Sequence, residues 1–510
     1  VDQKGENMMT KAMVLLIAIS IGLFSCSAIR TGKENDAPAG GINPRPPENP
    51  DRPSQLATEV SSVENGPAYP LPASGEKIPP EMVSAAPKAA KPTVLKHINV
   101  IDVEHNTVLK DMDILLGNGM ISSVSPSQPK DPDGTVIIDC SGKYAVPGLF
   151  EFHAHLCHLK SMEQLRDMNV LQQFLEQGIT QVRDVGGPID VLKEMADATI
   201  ANPGSGPQIF YAGPMLEKSP MMWAAQNENN PGFTVALDTE ADVDSILMVL
   251  KRDGASLIKT FNRCDPRIYA YLVEQAKQNG LPITHDPGTP LFNSIPLDMA
   301  IDMGVTCFEH GKAPWPCVLT DDLQAAHDSL LALKPPDPAS SQAFAMKVFA
   351  LGIDSVSGEK LGLLADKMVA KGVYFCPTLT VFKVMLASAE ENKGMVQIMD
   401  TMAAYFTKEM IARGVKIMVG VDNCFPMTLD EMGYLKELGL SEIEIIRGAT
   451  IYPAAWLNVS DQYGSIAAGK KANILIVDEN PCADIDNISK TYLVLKDGIV
   501  VFGQGDIQGE

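Results

Sequence analysis

The sequence predicts an α/β protein: a (β/α)8 TIM barrel carrying a small β-sandwich built from both flanks of the chain. Three observations predict it. Short apolar runs alternate with helical stretches of roughly 12–18 residues through the middle, the pattern of parallel βαβ units. The candidate strands there number eight, ending near His153, Val182, Tyr211, Lys259, His285, Phe308, Phe375 and Val419. Runs of short strands and turns stand on either side of this middle.

Size and composition agree with that architecture. A chain of 510 residues is long enough for one large barrel and a companion domain, and an apolar content of 45% fills a sizeable core. The net charge of -22 argues against a nucleic-acid partner, which needs a basic face. It leaves a small-molecule site open, because a pocket can oppose the global sign. The nine cysteines include no CxxC pair, which disfavours a zinc ribbon or thioredoxin-type site. A chain of this size needs no disulfide framework, so buried free thiols are expected.

Residues 1–26 read as an address. Translation is expected to start at Met8 or Met9; Lys11, an apolar run over 12–24 and Ser25-Cys26 follow. A basic start, a short apolar run and a small residue before the cut make a signal peptide, and the run is too short for a comfortable span. Leu23-Phe24-Ser25-Cys26 resembles a bacterial lipobox. The expectation is an exported lipoprotein, periplasmic or extracellular, held on a membrane by lipid on Cys26. An ordinary signal peptide with an incidental Cys26 is the alternative. Residues 27–94 are rich in Pro, Gly, Ser, Glu and Asn and read as a disordered tether.

The first part of the β-sandwich is expected over 95–146, with strands at 94–103, 111–116, 121–124 and 136–139. The second part, 461–510, carries strands at 474–477 and 492–496, then the hairpin signal Asp497-Gly498 before 499–502. The barrel lies between, over 147–460, with helices at 164–177, 242–253, 266–279 and 361–371. Residues 312–354 exceed what a βα connection needs and contain Pro335-Pro336-Asp337-Pro338, which predicts a lid or extra wall. There is no internal repeat.

Barrel active sites lie at the C-terminal ends of the strands. Strand one closes with His153-Ala154-His155, strand four with Lys259, strand five with His285, strand six with Glu309-His310, and strand eight with Val419-Gly420-Val421-Asp422. Residues two apart on a strand share a side, so His153 and His155 can face one metal. Four of the chain's eight histidines fall at predicted strand ends.

These residues carry a resemblance. The HAH after VPGLFEF, the lysine of SLIKTF, the histidines of ITHD and FEHG and the aspartate of VGVDN are similar to the motifs of the amidohydrolase superfamily. The match runs over roughly 95–505 and includes GSIAAGKKANILIVD, which resembles the re-entry into the β-sandwich. Val182-Arg183-Asp184-Val185-Gly186-Gly187 resembles the branch of imidazolonepropionase-like proteins and metal-dependent prolidases and carboxypeptidases.

The chemistry this implies is a two-metal hydrolase. His153, His155 and Asp422 would hold one divalent ion and His285 and His310 the second, a nitrogen and oxygen set suited to zinc. In the family a lysine at the position of Lys259 takes up carbon dioxide as a bridging carbamate. A water bridging two metals ionises near neutral pH and serves as hydroxide nucleophile. Asp422 would act as general base, then acid, passing the proton to the leaving amine. Tyr211 is a candidate for the oxyanion or a substrate carboxylate, against rim packing. Arg263 and His158 are weaker carboxylate candidates, and Arg183 and Asp184 are read as an ion pair supporting the site. Cys157, Cys264 and Cys424 are read as core thiols rather than ligands. After His285 comes Asp286-Pro287-Gly288, a departure from many relatives that leaves the substrate open.

The leading expectation is an amide or peptide hydrolase for dipeptides or N-acyl amino acids. A mononuclear deaminase or cyclic-amide hydrolase of the same superfamily is the second reading, and a non-catalytic binding lipoprotein the third. Homo-oligomer formation is left open.

Overall fold

The computed structural model describes residues 92–130, 133–158, 169–228, 230–261, 263–287, 295–333, 337–389 and 392–503. The signal peptide, Cys26 and nearly all of the tether therefore lie outside the described residues. The tether expected to reach residue 94 stops earlier, since the first strand begins at Thr93. No helix among the described residues is long and apolar enough to cross a membrane.

In chain order the strands are β1 (Thr93–Asp102), β2 (Thr107–Gly117), β3 (Met120–Pro126), β4 (Val136–Asp139), β5 (Tyr144–Pro147), β6 (Leu149–Ala154), β7 (Ile179–Asp184), β8 (Gln208–Tyr211), β9 (Met215–Glu217), β10 (Thr234–Ala236), β11 (Ile258–Phe261), β12 (Ile283–Asp286), β13 (Cys307–Glu309), β14 (Tyr374–Cys376), β15 (Lys416–Ile417), β16 (Ile474–Val477), β17 (Thr491–Lys496) and β18 (Ile499–Gly503). The two flanks join in one sheet, ordered β18-β17-β16-β5-β1-β2-β3, with β4 branching from β1. By hydrogen bonding it is a single branched sheet rather than the two separate layers of a sandwich. The tight turns that close it are chemical: Asn118-Gly119 and Asp497-Gly498 both take positive φ, as a two-residue hairpin turn requires. β16 is buried on both faces. Ile474 and Ile476 pack into the flank core with Leu95, Ile98 and Leu493, while Leu475 and Val477 join the main core.

The middle contains the eight expected parallel strands, but not as one closed ladder. With two further short strands, β9 and β10, they fall into a three-stranded sheet, β6-β7-β8, and a seven-stranded sheet, β10-β9-β11-β12-β13-β14-β15. The split has two local causes. The chain bends between β8 and β9 at Gly213, whose φ of 77° suits glycine, so β8 pairs with β7 and β9 with β11. At the other seam β15 is only two residues long, and its continuation meets β6 through separate bonds. Phe152 N donates to Val419 O at 3.0 Å, and Asp422 N donates to His153 O at 2.8 Å. The strand interior is filled by Phe150, Phe152, Phe210, Leu257, Cys307, Cys376 and Met418.

The helices are α1 (Val170–Glu176), α2 (Ile189–Ala201), α3 (Glu240–Arg252), α4 (Pro266–Gln278), α5 (Leu297–Met303), α6 (Asp321–Leu331), α7 (Pro338–Leu351), α8 (Gly358–Ala370), α9 (Leu379–Ser388), α10 (Lys393–Ala412), α11 (Thr428–Glu437), α12 (Glu442–Gly448) and α13 (Ile451–Trp456). Their starts are written in the sequence. Thr239 and Asp242 form a reciprocal capping box on α3, and Asp265 caps α4 just before Pro266. The long 312–354 region is largely helical, comprising α6 and α7. It is anchored by the buried Trp315, whose ring lies 5.1 Å from Phe349 and whose indole N–H donates to Ser355 Oγ at 2.9 Å. The eight described cysteines are free.

Candidate metal centre

Three of the expected ligands meet where β6 and the residues after β15 run side by side. His153 Nε2 lies 3.5 Å and His155 Nε2 3.2 Å from the same oxygen, Asp422 Oδ1. All three residues are buried, and together they form a group able to hold a metal ion. Gly420 permits this approach: a Cβ there would sit 2.7 Å from His153 N and from Cys376 Sγ. Asp422 itself takes φ 57°, and His310 and Thr378 at neighbouring strand ends take φ 71° and 49°. Such left-handed conformations are costly for non-glycine residues and concentrate at functional sites.

The protonation states follow from the surroundings. Glu309 is fully buried. Burial would raise its pKa, but Arg183 and His153 outweigh that and hold the carboxyl well below its usual range. Glu309 is therefore an acceptor only, and His153 Nδ1, 2.6 Å from Glu309 Oε2, must donate to it. Burial also drives the His153 pKa down to about 3, so its ring is neutral and Nε2 carries a lone pair. That Nε2 has no hydrogen-bond partner among the described residues and faces the Asp422 carboxylate. Burial acts against ionised Asp422 as well, yet His153, His155 and His310 hold it well below the usual range. A lone pair and a carboxylate oxygen directed at one point, with His155 beside them, form a donor set that fits a divalent ion.

The second expected set is assembled differently. His310 lies by the first group, with Nδ1 3.8 Å from Asp422 Oδ2 and 2.8 Å from Thr378 Oγ1. Its Nε2 is 3.1 Å from Asp286 Oδ2. His285, however, faces away from these residues. Its Nδ1 is 2.7 Å from Thr260 Oγ1, its Nε2 is 3.0 Å from Ile295 O, and its ring packs 5.1 Å from Tyr269 on α4. The expectation that His285 joins His310 at a metal is thus corrected for this structure. Strand alternation gives the reason: Thr284 and Asp286 occupy the interior face of β12, so His285 between them faces the helices. Lys259, two residues before Phe261 on β11, is 1% exposed, and its Nζ has no hydrogen-bond partner among the described residues. Lys312, just after His310, is also buried, and burial lowers its pKa despite the nearby Asp286 and Asp422 carboxylates.

The weaker candidates are placed elsewhere. Tyr211 is on the outward face of β8, and its hydroxyl donates to Asp253 O at 2.7 Å. The role proposed for it at an oxyanion is not supported, because the inward neighbours are Phe210 and Ala212. Arg263 donates to Pro220 O and its own carbonyl accepts from Lys218 N, which ties it to the loop before β10. The expected Arg183–Asp184 ion pair does not form, since adjacent strand residues point oppositely. Arg183 binds Glu309 instead at 2.6 Å, whereas Asp184 accepts from the backbone of Leu156 and Gly186. The His158 side chain lies outside the described residues. Sequence reasoning missed Glu309, Asp286 and Lys312. For Glu309 and Asp286 the available signal was a charged residue in a short buried strand, two positions from an interior neighbour; Lys312 lies in the turn after His310 and carried none.

The amidohydrolase family pattern matches residues 355–501. No curated protein sequence matches the chain. Several solved structures share its fold. A Xaa-Pro dipeptidase with methionine bound in its active site is 20% identical with a TM-score of 0.62, covering 81% of this chain and 100% of that one. A prolidase complexed with N-methylphosphonate-L-proline is 20% identical with a TM-score of 0.63 over the same shares, 81% and 100%. The ochratoxinase of A. niger is 18% identical with a TM-score of 0.60, covering 82% of this chain and 96% of that one. The family pattern over residues 355–501 and the shared fold make the chain similar to the amidohydrolases, prolidases among them.

Proposed function

We propose that the chain is a metal-dependent hydrolase of dipeptides or N-acyl amino acids, with its eight parallel strands serving as a (β/α)8 barrel around the site. The observation that carries this reading is the buried His153 Nε2, without a hydrogen-bond partner among the described residues, directed at Asp422 beside His155. His153, His155 and Asp422 would hold one divalent ion, zinc by its donor set, with His310 and a carboxylated Lys259 available to a second. When bound, the metal supplies Lewis acidity toward the scissile carbonyl and lowers the pKa of water.

The chain's own residues do the rest. Asp422 is ionised and adjacent to the reacting position, so it can take a proton from the attacking water and return it to the leaving amine. Delivery is required because an amide anion leaves poorly. Lys259 as a buried ammonium would repel a cation; reaction with carbon dioxide would turn it into an anionic ligand. Lys312, 2% exposed beside Asp286, is placed to orient a substrate carboxylate. The prolidase and ochratoxinase likenesses support amide substrates. The N-terminal pattern ending in Cys26 supports an exported, lipid-anchored form.

Metal analysis of the purified chain, supplied with zinc and bicarbonate, tests the reading. About two metals per chain with turnover of a dipeptide library supports it; a metal-free, inactive protein overturns it. The outward His285 favours one alternative: a single-metal deaminase or cyclic-amide hydrolase, which one tightly held ion per chain would indicate.

A further inference from the structure

Behind His153 lies a second, wholly buried arrangement that the reaction described above does not use. Glu309 on β13 has both carboxylate oxygens engaged. Oε2 faces His153 Nδ1 at 2.6 Å, and Oε1 accepts from Arg183 Nη2 at 2.6 Å and from the Thr284 hydroxyl. Arg183 on β7 is itself fixed. Its Nε donates to Phe152 O at 2.5 Å, Nη1 approaches Cys307 Sγ at 3.6 Å, and the guanidinium lies 3.8 Å from the centre of the Phe152 ring. Arg183, Glu309 and His153 are all completely buried. The group thus ties β6, β7, β12 and β13 together through one carboxylate.

A buried charge pair of this kind is an expensive way to add stability, since desolvation offsets much of the attraction. Its geometry does something more specific. The guanidinium is planar and cannot lose its proton, so it keeps Glu309 ionised and in one orientation. An ionised Glu309 accepts only, which admits a single tautomer of His153 with the proton on Nδ1. We propose that Arg183 and Glu309 are positioning residues for His153: they fix its Nδ1–H tautomer and ring plane so that the Nε2 lone pair is presented toward Asp422 and His155 before any ligand arrives. The proposal rests on the metal reading for its consequence, but the tautomer itself belongs to the metal-free protein. His155 is an internal control, because its Nδ1 faces Gly186 O, 3.5 Å away, and not Glu309.

The test uses 15N-histidine NMR on the metal-free full chain at neutral pH, with zinc affinity measured by chelator competition. In the wild type His153 is expected as a single Nδ1–H tautomer. In Glu309→Gln, close in shape but neutral, His153 should lose that single tautomer while His155 keeps its signal. Zinc should bind about 10–100-fold more weakly. Arg183→Lys should retain more zinc affinity than Arg183→Met, as a conservative partial rescue. A wild-type His153 carrying its proton on Nε2 overturns the proposal outright, even if every variant fails to fold. So does a folded Glu309→Gln variant with wild-type tautomer and zinc affinity. If His153→Ala binds zinc as well as the wild type does, the metal reading fails, and the tautomer measurement still decides the positioning role.

Discussion

β6 and β12 each carry, one residue before the end, a histidine that sequence reasoning assigned to a metal, and the fold treats the two in opposite ways. On β6, His153 points inward and meets Asp422, His155 and Glu309. On β12, His285 points to the helical layer, and its neighbour Asp286 faces His310 in its place. Alternation along a strand tells which residues share a side; it does not tell which side is the interior. At the end of β6 two histidines two residues apart meet one carboxylate, which fixes their side together. On β12 one histidine and one aspartate are adjacent, and either can claim the inside.

That comparison can be broken experimentally. The largest expected effect is at Asp422, the carboxylate that lies beside both His153 and His155. Asp422→Asn should lower kcat by about 10²–10⁴-fold with a smaller loss of bound metal, measured by turnover and metal analysis on the same preparation. Unchanged turnover would remove Asp422 from the chemistry. On β12 the contrast is between neighbours. Asp286→Asn should reduce metal content and activity well beyond His285→Gln, which is expected to cost about 1–3 kcal/mol of stability through its two buried hydrogen bonds. The reverse ranking would show that β12 sits one residue out of phase and that His285 is the ligand.

Smaller effects sharpen the same picture. Gly420→Ala would press a methyl group against the His153 backbone and Cys376. A destabilisation of about 1–3 kcal/mol by thermal or urea unfolding is expected, with weakened metal binding. An unaltered variant would mean the seam between β6 and β15 is loose. Glu431 on α11 accepts from Leu379 N and from Thr380 N and Oγ1, and burial pushes its pKa up to about 7. A carboxyl raised in the folded state favours folding while protonated, so its contribution is lost as pH rises from its unfolded value through 7. Glu431→Gln should flatten that part of the Tm-against-pH curve; an identical curve would place the titration elsewhere. The smallest effect belongs to Tyr211→Phe, which removes one hydrogen bond worth about 1 kcal/mol and should leave kcat unchanged. A large fall in kcat would return Tyr211 to the site.

Much of this was legible in the sequence. The hairpin signal at Asp497-Gly498 and the strand runs of the flanks and the middle are local properties, set by turn chemistry and apolar periodicity. The His153-Ala154-His155 spacing needed only the strand's two-residue repeat. The helix expected at 266 starts there, and the one expected at 242 starts two residues earlier, at Glu240. Three things required the tertiary structure. One was the facing of Tyr211 and His285: β8 ends at Tyr211 as expected and β12 one residue beyond His285, but a strand's limits do not say which of its two sides is the interior. Another was the choice of Glu309 over Asp184 as the partner of Arg183, since the two are distant in sequence and only strand order brings Glu309 near. The last was the pair of seams that divides the eight strands between two sheets. Sequence determines which residues can make an element or hold a ligand, because those properties are local. Which of them meet is decided by packing, where burial removes water and leaves each charged group only the partners the fold brings within reach.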